Sequence, residues 1–249
     1  MLITSVNNDS IKELVKLKDK KYRDNNNLFF VEGKDLCDAA YQNGLLRELY
    51  ILDGSHNIYD GIPYSYVSQD VMKKISEMKS VSEYFGVCSK KVEDKIGNKI
   101  IVLDNIQDPG NLGTIIRSAL AFNIDTVVLS TDTVDLYNPK VVRSTKGMMF
   151  DINIVVRDIV PFLSELDDYT IYGTDVNNGG NIKEEALPEK VAIVIGNEGN
   201  GIRGEVRECC HKFIYIKMKD DCESLNAGVA ASILMYEVFN KWNMYLLEN

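Results

Sequence analysis

The sequence predicts an open α/β fold with a mostly parallel sheet, preceded by a smaller α/β domain. Apolar strand-like runs recur at IIVLDNI, TVVLS, DINIVV, YTIYGTD, VAIVIG and KFIYIKM, each separated by a helix-length segment. The runs are continuous in Val, Ile and Leu instead of alternating with polar residues, which marks strands covered on both faces and hence parallel pairing. A polar stretch, SKKVEDKIGNK from Ser89 to Lys99, divides these runs from an earlier and shorter alternation. It places the boundary between residues 1–95 and 96–249.

In the first part, residues 10–23 read as one amphipathic helix, with Ile11, Leu14, Val15 and Leu17 on one side and lysines on the other. LFFV from Leu28 is a strand, and EGKDLCDAAYQNG is a helix closed by Gly44. LRELYIL, YSYV, a helix around Asp70 to Met78 and YFGVCSK complete the domain.

Composition excludes several classes. The 249 residues are 45% hydrophobic and 26% charged, as in a soluble globular protein. No apolar run reaches the roughly 18 residues of a membrane span, and MLITSVNNDSIKEL has no signal-peptide character, so a cytoplasmic location is expected. Five cysteines without a CxxC spacing suggest neither disulfides nor zinc, and His56 and His211 lack a second ligand at helical spacing. No metal is expected.

The net charge of −9 argues against a protein that merely coats nucleic acid. Its distribution is uneven: residues 1–98 hold 14 basic and 15 acidic side chains, and the remainder 14 and 22. Lys12, Lys16, Lys18, Lys20, Lys21 and Arg23 lie close together in the first part. That segment is either a solvated helix face or a contact for RNA phosphates.

Three segments carry chemistry, each where a strand gives way to a loop and a helix, the place where open α/β sheets bind ligands. In DPGNLGTIIRSALAF, the turn Asp108-Pro109-Gly110 leads into a helix near Asn111, and Arg117 lies four residues beyond Gly113 on the same face. An arginine set among Ile115, Ile116, Ala119 and Leu120 needs a partner or a route to water. It is either a structural ion pair or a group that acts on a ligand. In IVIGNEGNGI, glycines at 196, 199 and 201 allow a tight loop that offers backbone groups to a ligand. The spacing matches neither the dinucleotide nor the nucleoside-triphosphate fingerprint. Glu198 is either a turn acceptor or a partner for Arg117. In IKMKDDCESLNAGVAASI, Ser224 has the character of a helix N-cap, and Asn226, in an otherwise small and apolar first turn, requires a specific hydrogen-bond partner. The small residues Ala227, Gly228, Ala230, Ala231 and Ser232 imply close packing against another backbone or another subunit.

Together, Asn111-x-Gly113-x-x-x-Arg117, Gly196-Asn197-Glu198-Gly199-x-Gly201 and Glu223-Ser224-Leu225-Asn226 resemble the three signature motifs of the SpoU (TrmH-type) branch of the SPOUT RNA methyltransferases. The likeness spans roughly residues 99–240 and includes NPKVVRSTKGMMF; FFVEGKDLCDAA resembles the ribosomal-protein-like substrate-binding domain that many members carry in front.

The resemblance implies the SPOUT methyltransferase fold with a C-terminal trefoil knot, a homodimer, and S-adenosylmethionine held by Gly173, Thr174, Gly196, Asn197, Gly201, Ile216, Met218 and Leu225. It also implies 2′-O-methylation of a ribose in RNA, with ribosomal RNA preferred over transfer RNA. Arg117 then binds the RNA phosphate and the ribose hydroxyl together and stabilises the developing alkoxide, with Asn111, Glu198, Ser224 and Asn226 orienting Arg117 and the ribose. Lys18, Lys20, Lys21, Arg23 and Arg143 are the RNA-binding candidates. A protein that binds RNA without catalysis, and an enzyme that methylates a base, are the competing readings. Departures from the family pattern are Lys217 and Asp220 around the third motif, Ala227 and Gly228 after Asn226, and Thr145 where Ser is commoner.

Overall fold

The computed structural model describes residues 2–92, 95–176, 178–219 and 221–248. The chain divides into two compact units, one of residues 1–92 and 135–151, the other of residues 93–134 and 152–249.

The first unit runs β1 (Leu2–Ile3), α1 (Asp9–Lys16), α2 (Lys20–Asn26), β2 (Leu28–Glu32), α3 (Lys34–Gln42), β3 (Leu46–Leu52), β4 (Tyr64–Val67), α4 (Gln69–Ile75) and β5 (Tyr84–Ser89). Its five strands order β1-β4-β3-β5-β2, parallel from β1 to β3 and antiparallel beyond. The single helix expected over 10–23 is two. Asp19 breaks it by accepting a hydrogen bond from the Lys21 N–H, which makes Asp19 the N-cap of a new helix. One face of the sheet packs Phe30, Tyr50, Val67 and Phe85 against Ile11, Leu14, Val71 and Ile75.

The second unit begins with β6 (Lys99–Leu103), α5 (Pro109–Ala121) and β7 (Thr126–Ser130). The chain then returns to the first unit for α6 (Pro139–Ser144) and a short 3-10 turn at Met148–Phe150. Residues 135–151 therefore pack with the N-terminal unit, where the sequence suggested a single boundary near 95. Phe29 holds this segment through its contacts with Tyr137 and Phe150, whose ring centroids lie 4.7 and 6.2 Å away.

The chain continues through β8 (Asn153–Arg157), α7 (Ile159–Ser164), β9 (Thr170–Thr174), β10 (Gly180–Asn181), β11 (Val191–Ile195), α8 (Gly204–Arg207), β12 (Lys212–Tyr215) and α9 (Ala227–Glu248). The seven strands order β10-β12-β9-β11-β6-β7-β8, and every neighbouring pair is parallel, as the continuous apolar runs predict. β7 and β8 extend the sheet on one side of β6, and all later strands lie on the other. The order therefore reverses at the β6–β11 pair, whose carboxyl ends carry the first two motif loops. Such a switch point opens a crevice in an open α/β sheet. Val102, Val128, Ala192 and Val194 anchor the sheet in a core with Phe162 and Leu163 of α7 and Val206 of α8.

Candidate active site

The first motif enters α5 two residues earlier than the sequence suggested. Asp108 is the N-cap, accepting from the Asn111 N–H at 2.9 Å, and Pro109 takes the first helical position, where its missing N–H costs nothing. This fixes Asn111 on the buried side of the first turn.

The second motif closes on itself. Asn197 and Gly201 exchange both backbone hydrogen bonds, at 3.0 and 2.9 Å, and Gly201 takes a left-handed φ of 69°. Gly196 is required by contact: a Cβ there would lie 2.2 Å from the Gly201 carbonyl carbon and 2.3 Å from the Ile202 nitrogen. Beyond the loop, Arg203 is held by Asp104, a fully buried carboxylate at the end of β6 that accepts from the Arg203 N–H at 2.8 Å and its Nε at 2.7 Å. This clip was not foreseen, because nothing in sequence pairs residues 99 positions apart.

The third motif starts its helix later than expected. α9 begins at Ala227, and Asn226 is its N-cap: its Oδ1 accepts from the Val229 N–H at 3.2 Å and its carbonyl from Ala230 at 2.9 Å. Ser224 caps no helix among the described residues; it is exposed and lines the cavity described below. Asp220 lies outside the described residues, and Lys217 is exposed. Buried Thr145 donates its hydroxyl to the Val142 carbonyl at 2.8 Å.

A chain of side-chain amides and one carboxylate joins the motifs. Asn226 Nδ2 donates to Asn111 Oδ1 at 2.9 Å, and Asn111 Nδ2 donates to Glu198 Oε1 at 2.8 Å. Glu198 also accepts from the N–H groups of Asp108 and Gln107, at 3.3 and 3.4 Å. Asn197 Nδ2 donates to the Asn105 carbonyl at 2.8 Å, where Asn105 sits in a left-handed conformation, φ 62°. Partial burial pushes the Glu198 carboxyl up, but its hydrogen bonds from Asn111 and from the backbone at Glu198, Asp108 and Gln107 outweigh that and leave it below the ordinary carboxylate value. Glu198 therefore remains ionised and fixes the first two motifs to each other.

Glu198 does not bind Arg117. The Arg117 side chain is exposed on α5, engages no hydrogen bond or ion pair among the described residues, and is absent from the cavity wall. The structural ion pair that the sequence left open for it is not formed.

Beside this network lies a cavity of about 400 Å³ at the carboxyl ends of β9, β11 and β12. Thr174, Gly196, Asn197, Gly201, Ile216, Met218 and Leu225 line it, as do Glu198 and Ser224. Gly173 does not line it: its missing side chain makes room for the Phe213 ring, 2.5 Å from where a Cβ would stand. Sequence reasoning missed Asp175, Arg207, Tyr215 and Leu234 on the wall, which lie outside the recognisable motifs.

The basic candidates of the first unit divide. Lys20 and Lys21 are exposed. Lys18 is bound to Glu77 at 3.0 Å and donates to the Ser76 carbonyl at 3.1 Å. Arg23 is not an RNA contact: it is 2% exposed, and its guanidinium donates to the Leu17 and Lys18 carbonyls and to Asp135. Arg143 is half-buried, with Nη1 3.6 Å from Glu32.

A family model of the SpoU rRNA methylases matches residues 98–236, more than half of the chain. The chain belongs to the SpoU rRNA methylase family. Residues 8–86 match the MRM3-like substrate-binding domain. Among relatives of this SpoU protein, the 23S rRNA (guanosine(2553)-2′-O)-methyltransferase RlmP of Bacillus subtilis is 34% identical over 244 residues, covering 95% of this chain and 98% of its own. A solved structure of an RNA 2′-O ribose methyltransferase superposes with a TM-score of 0.83 at 28% identity, covering 97% and 99% of the two chains. An rRNA methyltransferase of Sinorhizobium meliloti shares the fold at 24% identity, with a TM-score of 0.87 and coverage of 96% and 97%.

Proposed function

We propose that this SpoU protein methylates a ribose 2′-hydroxyl of ribosomal RNA, using S-adenosylmethionine. The observation that carries the reading is the Asn226–Asn111–Glu198 chain, which locks the three family motifs together at the rim of a cavity. The cavity suits the cofactor in its donor set and its size, which lies in the range of small-molecule sites. Ile195, Ile202, Ile216, Leu225 and Leu234 give apolar walls for a purine, and the close turn at Gly196 leaves backbone groups to meet its edge. When bound, the cofactor supplies an electrophilic methyl group on a sulfonium.

The chain's own contribution is positioning and electrostatics. A hydroxyl is a weak nucleophile until its proton is removed or its developing charge is stabilised. Arg117 suits the second task, because a guanidinium stays charged and donates to a phosphate and an alkoxide together. Glu198, Asn111 and Asn226 hold the helix that carries it. Since Arg117 does not line the cavity of its own chain, a site completed by a second copy is the natural arrangement. α9 exposes Val229 and Tyr236, apolar surface suited to such packing.

The same reading carries a trefoil knot at the carboxyl ends of the strands, an RNA-docking role for the N-terminal unit, with Lys20 and Lys21 as its exposed cations, and action in the cytoplasm. The relative in Bacillus subtilis, named for 23S rRNA, favours ribosomal over transfer RNA. The deciding experiment is calorimetric titration of S-adenosylmethionine, followed by tritium-methyl transfer to ribosomal RNA and nuclease mapping. Binding and a 2′-O-methylated nucleotide are expected. Absence of cofactor binding would overturn the reading in favour of a non-catalytic RNA-binding protein.

A further inference from the structure

Three charged side chains stand on the cavity wall among the described residues: Asp175, Glu198 and Arg207. Glu198 is committed to Asn111 and to the backbone of the first motif. Asp175 and Arg207 form a pair, with Arg207 Nη2 2.6 Å from Asp175 Oδ2. Asp175 follows β9 directly, and Arg207 is the last residue of α8. The guanidinium also lies over the Phe213 ring, 4.4 Å from its centroid, so its place is fixed by stacking as well as by the ion pair. The Arg207 side chain keeps 37% of its surface exposed against 11% for Asp175. The cation thus reaches into open space and retains donors that the pair does not use.

We infer that Arg207, held in place by Asp175, is the receptor for the amino-acid end of the cofactor and so decides between S-adenosyl amino acids and simpler thio-nucleosides. The inference rests on the proposed use of S-adenosylmethionine. An α-amino acid carries a carboxylate and an ammonium on one carbon. A carboxylate brought against a wall of Ile and Leu is unfavourable unless a cation meets it. Arg207 is the cation on that wall, and the carboxylate beside it is complementary to the ammonium. The nucleoside half makes no such demand, because the apolar side chains and the Gly196 backbone serve it.

The test is calorimetry with two unreactive probes, S-adenosylhomocysteine, which keeps the amino-acid end, and methylthioadenosine, which lacks it. Wild-type protein is compared with Arg207→Ala, Arg207→Lys and Asp175→Asn, with the fold of each checked by thermal denaturation. Arg207→Ala is expected to weaken S-adenosylhomocysteine by about tenfold or more while methylthioadenosine changes by less than about twofold. Arg207→Lys, which keeps the charge but loses the fork, is expected to fall between. Equal weakening of both probes, or none of either, would overturn the assignment, and selective loss of methylthioadenosine in Asp175→Asn would assign Asp175 to the nucleoside ribose instead. Failure of the wild type to bind either probe would remove the cofactor reading itself, an outcome distinct from loss of selectivity.

Discussion

Asn226, the N-cap of the last helix, donates its amide to Asn111 Oδ1 at 2.9 Å, joining residues 115 positions apart. The same side chain accepts from Val229 through its oxygen, so one residue both starts a helix and orients the partner of Glu198. Asn226→Asp separates these tasks. The carboxylate still caps α9, but it cannot donate to Asn111. Thermal stability is expected to stay near wild type while methyl transfer falls by about 100-fold, the scale of a small misplacement at a reacting centre. Asn226→Ala is expected to lose activity and also about 1 kcal/mol of stability. Denaturation and single-turnover methyl transfer distinguish the two.

Arg117→Ala should abolish methyl transfer and leave the melting temperature and cofactor affinity unchanged, because the side chain is exposed and bonds to no partner among the described residues. Arg117→Lys should rescue poorly, since an ammonium cannot present the guanidinium fork. Near-normal turnover in Arg117→Ala would remove it from the chemistry.

Gly196→Ala tests the loop by steric contact. The added methyl meets backbone atoms of Gly201 and Ile202 at 2.2–2.3 Å, so the loop must open. A stability loss of about 1–3 kcal/mol is expected, with cofactor binding lost along with the loop geometry. Calorimetry and denaturation of the same preparation report both.

Glu198 gives the acid limb of stability a sign. Its native carboxyl lies below the ordinary value of 4.5, so folding favours the ionised form. Its contribution is complete above pH 4.5 and disappears as pH falls through the lower native value. Glu198→Gln should therefore flatten the loss of stability on acidification below pH 4.5. Urea denaturation across that range measures it; an unchanged slope would mean that the carboxylate adds nothing.

The lysines and Arg23 should part company. Neutralising Lys20 and Lys21 should weaken RNA binding and flatten the salt dependence, by about 0.7–0.9 in slope for each phosphate that is no longer neutralised. Lys18→Ala should be milder, because that amine already has partners. Arg23→Ala should instead destabilise the fold by about 3–5 kcal/mol, because it strands Asp135 without its counter-charge. Filter binding at several salt concentrations and denaturation separate the outcomes.

The strands were legible because short runs rich in β-branched residues, such as VAIVI, recur between helix-length segments, as strands buried on both faces of a parallel sheet do. Asn226 was legible because an amide in a small, apolar stretch demands a partner; Asn111 and Glu198 stood out through the motifs that carry them, and the bond between them was not foreseen. Arg23 was misjudged, since sequence shows a cation among lysines but not the Asp135 carboxylate, 112 residues away, that buries it. Asp104 with Arg203, and Asp175 with Arg207, escaped for the same reason. An ion pair between distant positions has no periodicity.

Because residues 135–151 belong to the N-terminal unit, the polypeptide passes between the units three times, after residues 92, 134 and 151. Neither half can be lifted out by one cut. A fragment ending at residue 95 would leave Phe29 without Tyr137 and Phe150, and one beginning at 96 would carry those aromatic side chains on an unanchored insertion. Grafting this protein's N-terminal unit onto a related catalytic unit therefore means transplanting an interior stretch as well, so recombination at a single point is a poor route to new specificity.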